Sequence, residues 1–134
     1  MEADLPRDFD IVVYGATGFT GALVAEYLQT HHSEIRWAIA GRSPSKLESV
    51  KKQLGNAELP TIEADSGSAV DMARLAGTAK VIISTVGPYA QHGTKLLEAC
   101  AAEGTHYCDL TGEPQWMAAV FEKVSDMAEE SGAR

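Results

Sequence analysis

Short runs of β-branched and aromatic residues alternate along this chain with stretches in which apolar residues recur every three or four positions. The first run, FDIVVY at 9–14, stops at a glycine, and Phe19, Leu23, Val24, Tyr27 and Leu28 then fall at helical spacing over 19–30. The pattern repeats with IRWAIA at 35–40, a GRSPS turn in which Pro44 suits a first helical turn, and an amphipathic KLESVKKQL at 46–54. A third strand is predicted over 59–63 and a brief helix over 69–76. KVIISTV at 80–86 is apolar at nearly every position, as befits a strand covered on both faces. A helix over 91–103 ends at Gly104, a fifth strand spans 105–108, and a long helix over 114–130 turns Trp116, Val120, Phe121 and Val124 inward.

Five strands alternating with helices predict an α/β fold: a doubly wound parallel sheet with right-handed crossovers, strand order 3-2-1-4-5 and helices on both faces. Ligands of such Rossmann-like sheets bind beyond the carboxyl ends of the strands, so residues that follow strands become the candidate site.

Gly15, Gly18 and Gly21 occupy the first strand-to-helix turn. Gly15 allows the sharp turn, Gly18 lets a ligand approach the helix start, and Gly21 lets the helix pack closely on the sheet. The free N–H groups there, with the helix dipole, suit a pyrophosphate, although the GxxGxxG spacing departs by one residue from GxGxxG. After the second strand, where a carboxylate would bind a ribose 2′-hydroxyl, stand Gly41, Arg42 and Ser43, with Lys46 one turn on. A guanidinium can pair with a 2′-phosphate, so NADP(H) is expected ahead of NAD(H). The structural alternative leaves Arg42 solvated and makes Ser43 a helix cap. Asp65 and Ser66 follow the third strand near an expected adenine, where Asp65 can accept from the amino group or form a turn. After the fourth strand come Val86, Gly87, Pro88 and Tyr89, which let the chain run under the nicotinamide ribose with Tyr89 as a wall. Asp109, Thr111 and Glu113 follow the fifth strand. They can shape a substrate pocket, exchange protons, or cap the last helix. No catalytic residue is assigned. His31 and His32 close the first helix, His106 lies in the fifth strand, and only His92 falls near the expected nicotinamide end.

The composition adds limits. At 134 residues, with 45 % hydrophobic and 22 % charged residues, the chain is one ordinary globular domain. A formal charge of −8 argues against a nucleic-acid partner. No segment is apolar enough to span a membrane, and the N-terminus is acidic where a leader would be basic, so the expected compartment is cytoplasmic. Cys100 and Cys108 lack metal-site spacing and are expected to be buried free thiols. The residues four after Tyr14, Tyr27, Tyr89 and Tyr107 are Gly18, His31, Gly93 and Thr111, so the Tyr-to-Lys pair of short-chain dehydrogenases is missing.

With GATGFTG at 15–21, AGRS at 40–43, TVGPYAQHG at 85–93 and YCDLTGE at 107–113 in this order, the chain resembles the NADP-binding domain of saccharopine dehydrogenase-like oxidoreductases, the group that includes trans-acting enoyl reductases. The resemblance implies that Gly15, Thr17, Gly18, Phe19 and Thr20 hold the pyrophosphate and that Arg42 and Ser43 hold the 2′-phosphate. It also implies that Gly87, Pro88 and Tyr89 lie on the nicotinamide side. Members of that group continue into a sixth strand and a larger substrate domain, so residues 1–134 are expected to be a truncated cofactor domain. It would serve hydride transfer to a small-molecule or lipid-like substrate held elsewhere, and the isolated chain would be inactive. A dinucleotide-binding sensor without turnover is the alternative. The open edge of the fifth strand is expected to favour homo-oligomers.

Overall fold

The computed structural model describes residues 6–134. Met1, Glu2, Ala3 and Asp4, on which the argument against a leader rested, lie outside the described residues. The elements run β1 (Phe9–Tyr14), α1 (Phe19–His31), β2 (Trp37–Gly41), α2 (Pro44–Leu54), β3 (Thr61–Glu63), α3 (Ala69–Gly77), β4 (Ala79–Ser84), α4 (Tyr89–His92), α5 (Thr94–Glu103), β5 (His106–Asp109) and α6 (Pro114–Ser131). All strand pairs are parallel and the order is β3-β2-β1-β4-β5, as the alternation predicts.

The central strands carry the core. On one face Val13 and Ile39 pack with Ala25 and Leu28 of α1 and Leu47 and Val50 of α2. On the other, Val12, Tyr14 and Ile82 pack with Met72 and Leu75 of α3 and Leu96 and Cys100 of α5. A smaller cluster of Tyr89, Trp116 and Val120 joins α4 to α6. This division follows from right-handed crossovers: connections running left from β1 fall on one face, and those running right fall on the other.

Several expectations are corrected. The helix predicted over 91–103 is two helices divided at Gly93, whose missing Cβ would meet Tyr89 O at 2.9 Å and Trp116 Cζ2 at 3.0 Å. Phe121 is not inward but 66 % exposed, at the rim of an apolar groove of about 280 Å³ that also includes Val120, Val124 and Tyr107. Of the two cysteines, both free, Cys100 is buried but Cys108 is exposed, because α1 and α2 do not extend over β5. In α1 the buried residues are Gly21, Ala25 and Leu28, while Phe19, Leu23 and Tyr27 form an exposed stripe.

Beyond β5, Tyr107 N donates to Arg134 O at 2.9 Å and Arg134 N to His106 Nδ1 at 3.1 Å, so the chain's last residue lies against the outer edge of that strand. Arg7 stitches the segments that lead into β4 and β5, donating to Ala76 O, Glu103 O and Thr105 Oγ1.

Candidate dinucleotide site

The turn after β1 is built around Gly15, whose φ of +95° lies in the region that favours glycine. Its N–H donates to Ala40 O and its carbonyl accepts from Gly18 N, which curls the chain tightly before α1. Thr85, following β4, braces the turn by donating its hydroxyl to Gly15 O at 3.2 Å. Gly21 sits against this turn with no room for a side chain, whereas a Cβ on Gly18 would have only Gly15 O, 3.6 Å away, within 4 Å. Gly18 caps α1 without a side-chain hydrogen bond, and the first turn of α1 carries no acidic residue. The helix start is therefore sterically open, uncapped and of favourable sign for an anion.

A cleft of about 210 Å³ opens beside this turn, reached by Gly15 and Thr17 from the loop before α1, Arg42 just after β2, Ser66 after β3, Val86 and Gly87 after β4, and His92 from α4. Four strand ends thus converge on one depression. Tyr14 lies at its base, donating its hydroxyl to Ala64 O at 3.1 Å, and burial pushes its pKa up, so it acts as a neutral hydrogen-bonding group. Arg42 is exposed at the mouth, and among the described residues no ion pair includes it. Its charge is available to a phosphate. Ser43 caps α2, its hydroxyl accepting from Lys46 N at a long 3.4 Å and lying 3.2 Å from Ser45 Oγ.

Other candidates sit differently. Asp65 makes the turn that its sequence allowed, accepting from Gly67 N at 2.8 Å, and Ser66 rather than Asp65 lines the cleft. Phe19 is 84 % exposed and Thr20 is exposed beside it, and neither side chain lines the cleft. Lys46 is exposed on α2. Pro88 is exposed, but the Tyr89 ring is only 6 % exposed and turned into the cluster with Trp116, so it supports the loop from behind rather than walling the cleft. Its hydroxyl donates to Ser84 O and accepts from Leu110 N, and burial raises its pKa.

The β5 end is occupied by its own turn. Tyr107 donates its hydroxyl to Asp109 Oδ2 at 2.6 Å, Thr111 N donates to Asp109 Oδ1, and Glu113 N to Thr111 Oγ1. Burial and this acidic partner both raise the Tyr107 pKa. Neither Asp109 nor Thr111 caps α6. The Glu113 carboxylate instead crosses to α4, a contact that sequence reasoning missed because its partners lie 24 and 23 residues away. His92 was noted for the nicotinamide end, and the structure places it in the same cleft as Arg42. No group of three or more metal-ligating side chains occurs among the described residues.

Comparison with known proteins agrees with this geometry. The profile of the saccharopine dehydrogenase NADP-binding domain family matches residues 11–133. A trans-acting enoyl reductase of Mycobacterium leprae is 45 % identical over 130 residues, and one of Mycobacterium tuberculosis is 44 % identical over 130; each match covers 96 % of this chain. The chain spans 31 % of the length of these relatives. Among solved structures, saccharopine dehydrogenase (L-Glu forming) of Saccharomyces cerevisiae superposes with a TM-score of 0.73 at 17 % identity, covering 93 % of this chain and 26 % of that one. Triphenylmethane reductase of Citrobacter sp., solved with NADP(H), gives 0.67 at 16 %, covering 93 % and 47 %. The structural likenesses show the fold, and the match over residues 11–133 shows the family: this chain belongs to the saccharopine dehydrogenase NADP-binding domain family.

Proposed function

We propose that residues 1–134 form the cofactor domain of an NADP-dependent oxidoreductase, in which a substrate held largely outside these residues meets the nicotinamide at the carboxyl ends of β4 and β5. The observation that carries the reading is that Gly15 and Thr17, in the turn leading to an α1 start that has no side-chain cap, meet the unpaired Arg42 at one cleft. The residues fit the cofactor: Gly18 leaves the start of α1 open to a pyrophosphate, and Arg42 and Ser43 follow β2, where this fold receives the ribose 2′ substituent. Bound NADPH supplies a hydride. The chain's own residues orient it: the α1 amides fix the centre, Arg42, Ser43 and Ser66 the adenosine half, and the loop through Val86 and Gly87 the other half.

The relatives' description as trans-acting enoyl reductases supports a small or lipid-like substrate bearing an activated double bond. Their greater length supports a substrate-holding part beyond the region matched here. No helix among the described residues can cross a membrane, and a cytoplasmic location accords with NADPH supply. Copies of this chain would associate at the outer edge of β5 only by displacing Arg134, which already accepts from Tyr107 N there, and light scattering across a concentration range reads such association directly.

Calorimetric titration with NADPH and NADH in parallel, repeated for Arg42→Ala at two salt concentrations, tests the assignment. Tighter binding of NADPH, lost about tenfold or more in the variant and weakened by salt, is expected. Equal affinity for both cofactors in the unaltered chain would overturn the role of Arg42. Absence of binding would overturn the cofactor assignment for these residues.

A further inference from the structure

The carboxylate of Glu113 receives two backbone amides from α4: Tyr89 N donates to Oε2 at 2.6 Å and Ala90 N to Oε1 at 3.1 Å. These are the first amides of α4, which follow directly on Gly87 and Pro88. Glu113 is itself anchored, since its N–H donates to Thr111 Oγ1 within a turn that Asp109 closes. Two further bonds run in parallel, from Leu110 N to the Tyr89 hydroxyl at 3.2 Å and from that hydroxyl to Ser84 O at 3.1 Å. Trp116, in the first turn of α6, packs its ring tilted against Tyr89 with centroids 5.5 Å apart and donates to Thr94 Oγ1 at 2.9 Å.

From these contacts we infer that Glu113 is a positioning residue for the nicotinamide half of the cofactor, acting through the backbone of the Gly87–Tyr89 loop. The inference rests on the NADPH reading above. With the pyrophosphate at α1 and the adenosine half toward β2, the nicotinamide half must extend past the ends of β4 and β5. Gly87 lines the cleft two residues before the first amide that Glu113 holds. A carboxylate accepting two N–H groups makes charge-assisted bonds of about twice the usual strength, and its removal leaves both amides to find other partners. The loop is then free to shift away from the ligand. The adenosine half depends on α1, Arg42 and Ser66, none of which touches Glu113, so the two halves of the cofactor should respond differently.

The test compares 2′,5′-ADP, which carries the adenosine half alone, with NADPH, in the unaltered chain, Glu113→Gln and Glu113→Ala. Glu113→Ala loses both acceptors and is expected to weaken NADPH about tenfold while leaving 2′,5′-ADP within about twofold. Glu113→Gln keeps one acceptor and should fall between, and it carries the test if the alanine variant does not fold. Equal loss of both ligands would mean that Glu113 serves only general stability, and unchanged NADPH binding would mean that the loop does not need it. Either result overturns the inference while NADPH binding by the unaltered chain stands. Failure of the unaltered chain to bind either ligand would instead overturn the cofactor assignment, and the role of Glu113 with it.

Discussion

A Cβ added to Gly21 would lie 2.0 Å from the carbonyl oxygen of Gly15 and 2.6 Å from its carbonyl carbon. Both obstacles are backbone, in a turn already fixed by bonds to Ala40 and Gly18, so neither can move aside cheaply. Gly21→Ala should therefore destabilise the fold by about 3 kcal/mol despite alanine's better helix propensity, lowering the melting temperature by about 10 °C. Thermal unfolding followed by circular dichroism measures it.

Gly18→Ala separates stability from binding. The backbone there is extended, at φ −84° and ψ 170°, and a Cβ would have no contact closer than 3.6 Å. Stability should fall by no more than about 1 kcal/mol, the cost of alanine at a helix cap. NADPH affinity should nevertheless drop about tenfold, because the added methyl occupies the side from which the pyrophosphate approaches. Urea titration and calorimetry on the same preparation distinguish the two effects.

The two serine caps differ in the same manner. Ser68 Oγ accepts from Asp71 N at 3.1 Å, whereas Ser43 Oγ accepts from Lys46 N at 3.4 Å. Ser68→Ala should cost about 1 kcal/mol and Ser43→Ala less than about 0.5 kcal/mol. Only Ser43→Ala should weaken NADPH severalfold while leaving NADH unchanged, which would identify its hydroxyl as a ligand of the 2′-phosphate.

Strand order was legible because β-rich and helix-period segments alternate, and in parallel sheets the handedness of crossovers then leaves few topologies. Gly15, Arg42 and Ser66 stand out in the sequence because each sits just after a strand, and Gly18 and Gly21 because they follow at three-residue spacing into α1. What escaped depends on contacts between distant segments. Gly93, at the break, packs closely on Tyr89 and Trp116, and the Glu113 carboxylate accepts amides from α4. The apolar spacing of Phe19, Leu23 and Tyr27 describes a helix truthfully, but close approach to the sheet selects Gly21, Ala25 and Leu28 as its buried residues. Size and apolarity alone did not disclose that choice.

The two thiols should react very unequally. Cys100 is 1 % exposed, and burial pushes its pKa up to about 12, so neither access nor thiolate is available near neutral pH. Cys108 is exposed on the face of β5 left open by α1, though partial desolvation raises its pKa as well. A chromogenic disulfide reagent at pH 8 should therefore titrate one thiol in the folded protein and two in denaturant. Rapid reaction of both without denaturant would contradict the packing of α5.

Asp10 offers a pH-dependent test of the sheet's opposite end. Its carboxylate accepts from Arg36 N at 3.0 Å and pairs with the Arg36 guanidinium and with Lys80 Nζ, each at 3.2 Å, linking β1 to the segments flanking it. The Arg36 backbone bond leads in lowering its pKa from 3.8 to about 2, followed by the Arg36 side-chain bond and then Lys80. A folded-state pKa below the unfolded one contributes stability above pH 3.8, and that contribution is lost as pH falls through about 2. The stability difference between the unaltered chain and Asp10→Asn should consequently be full at pH 5 and shrink steadily between pH 4 and 2. At pH 7 added salt should reduce it, because the groups are exposed and screened. Urea midpoints at these pH values measure the difference, and one that stayed constant down to pH 2 would show that the paired charge contributes nothing to holding the three segments together.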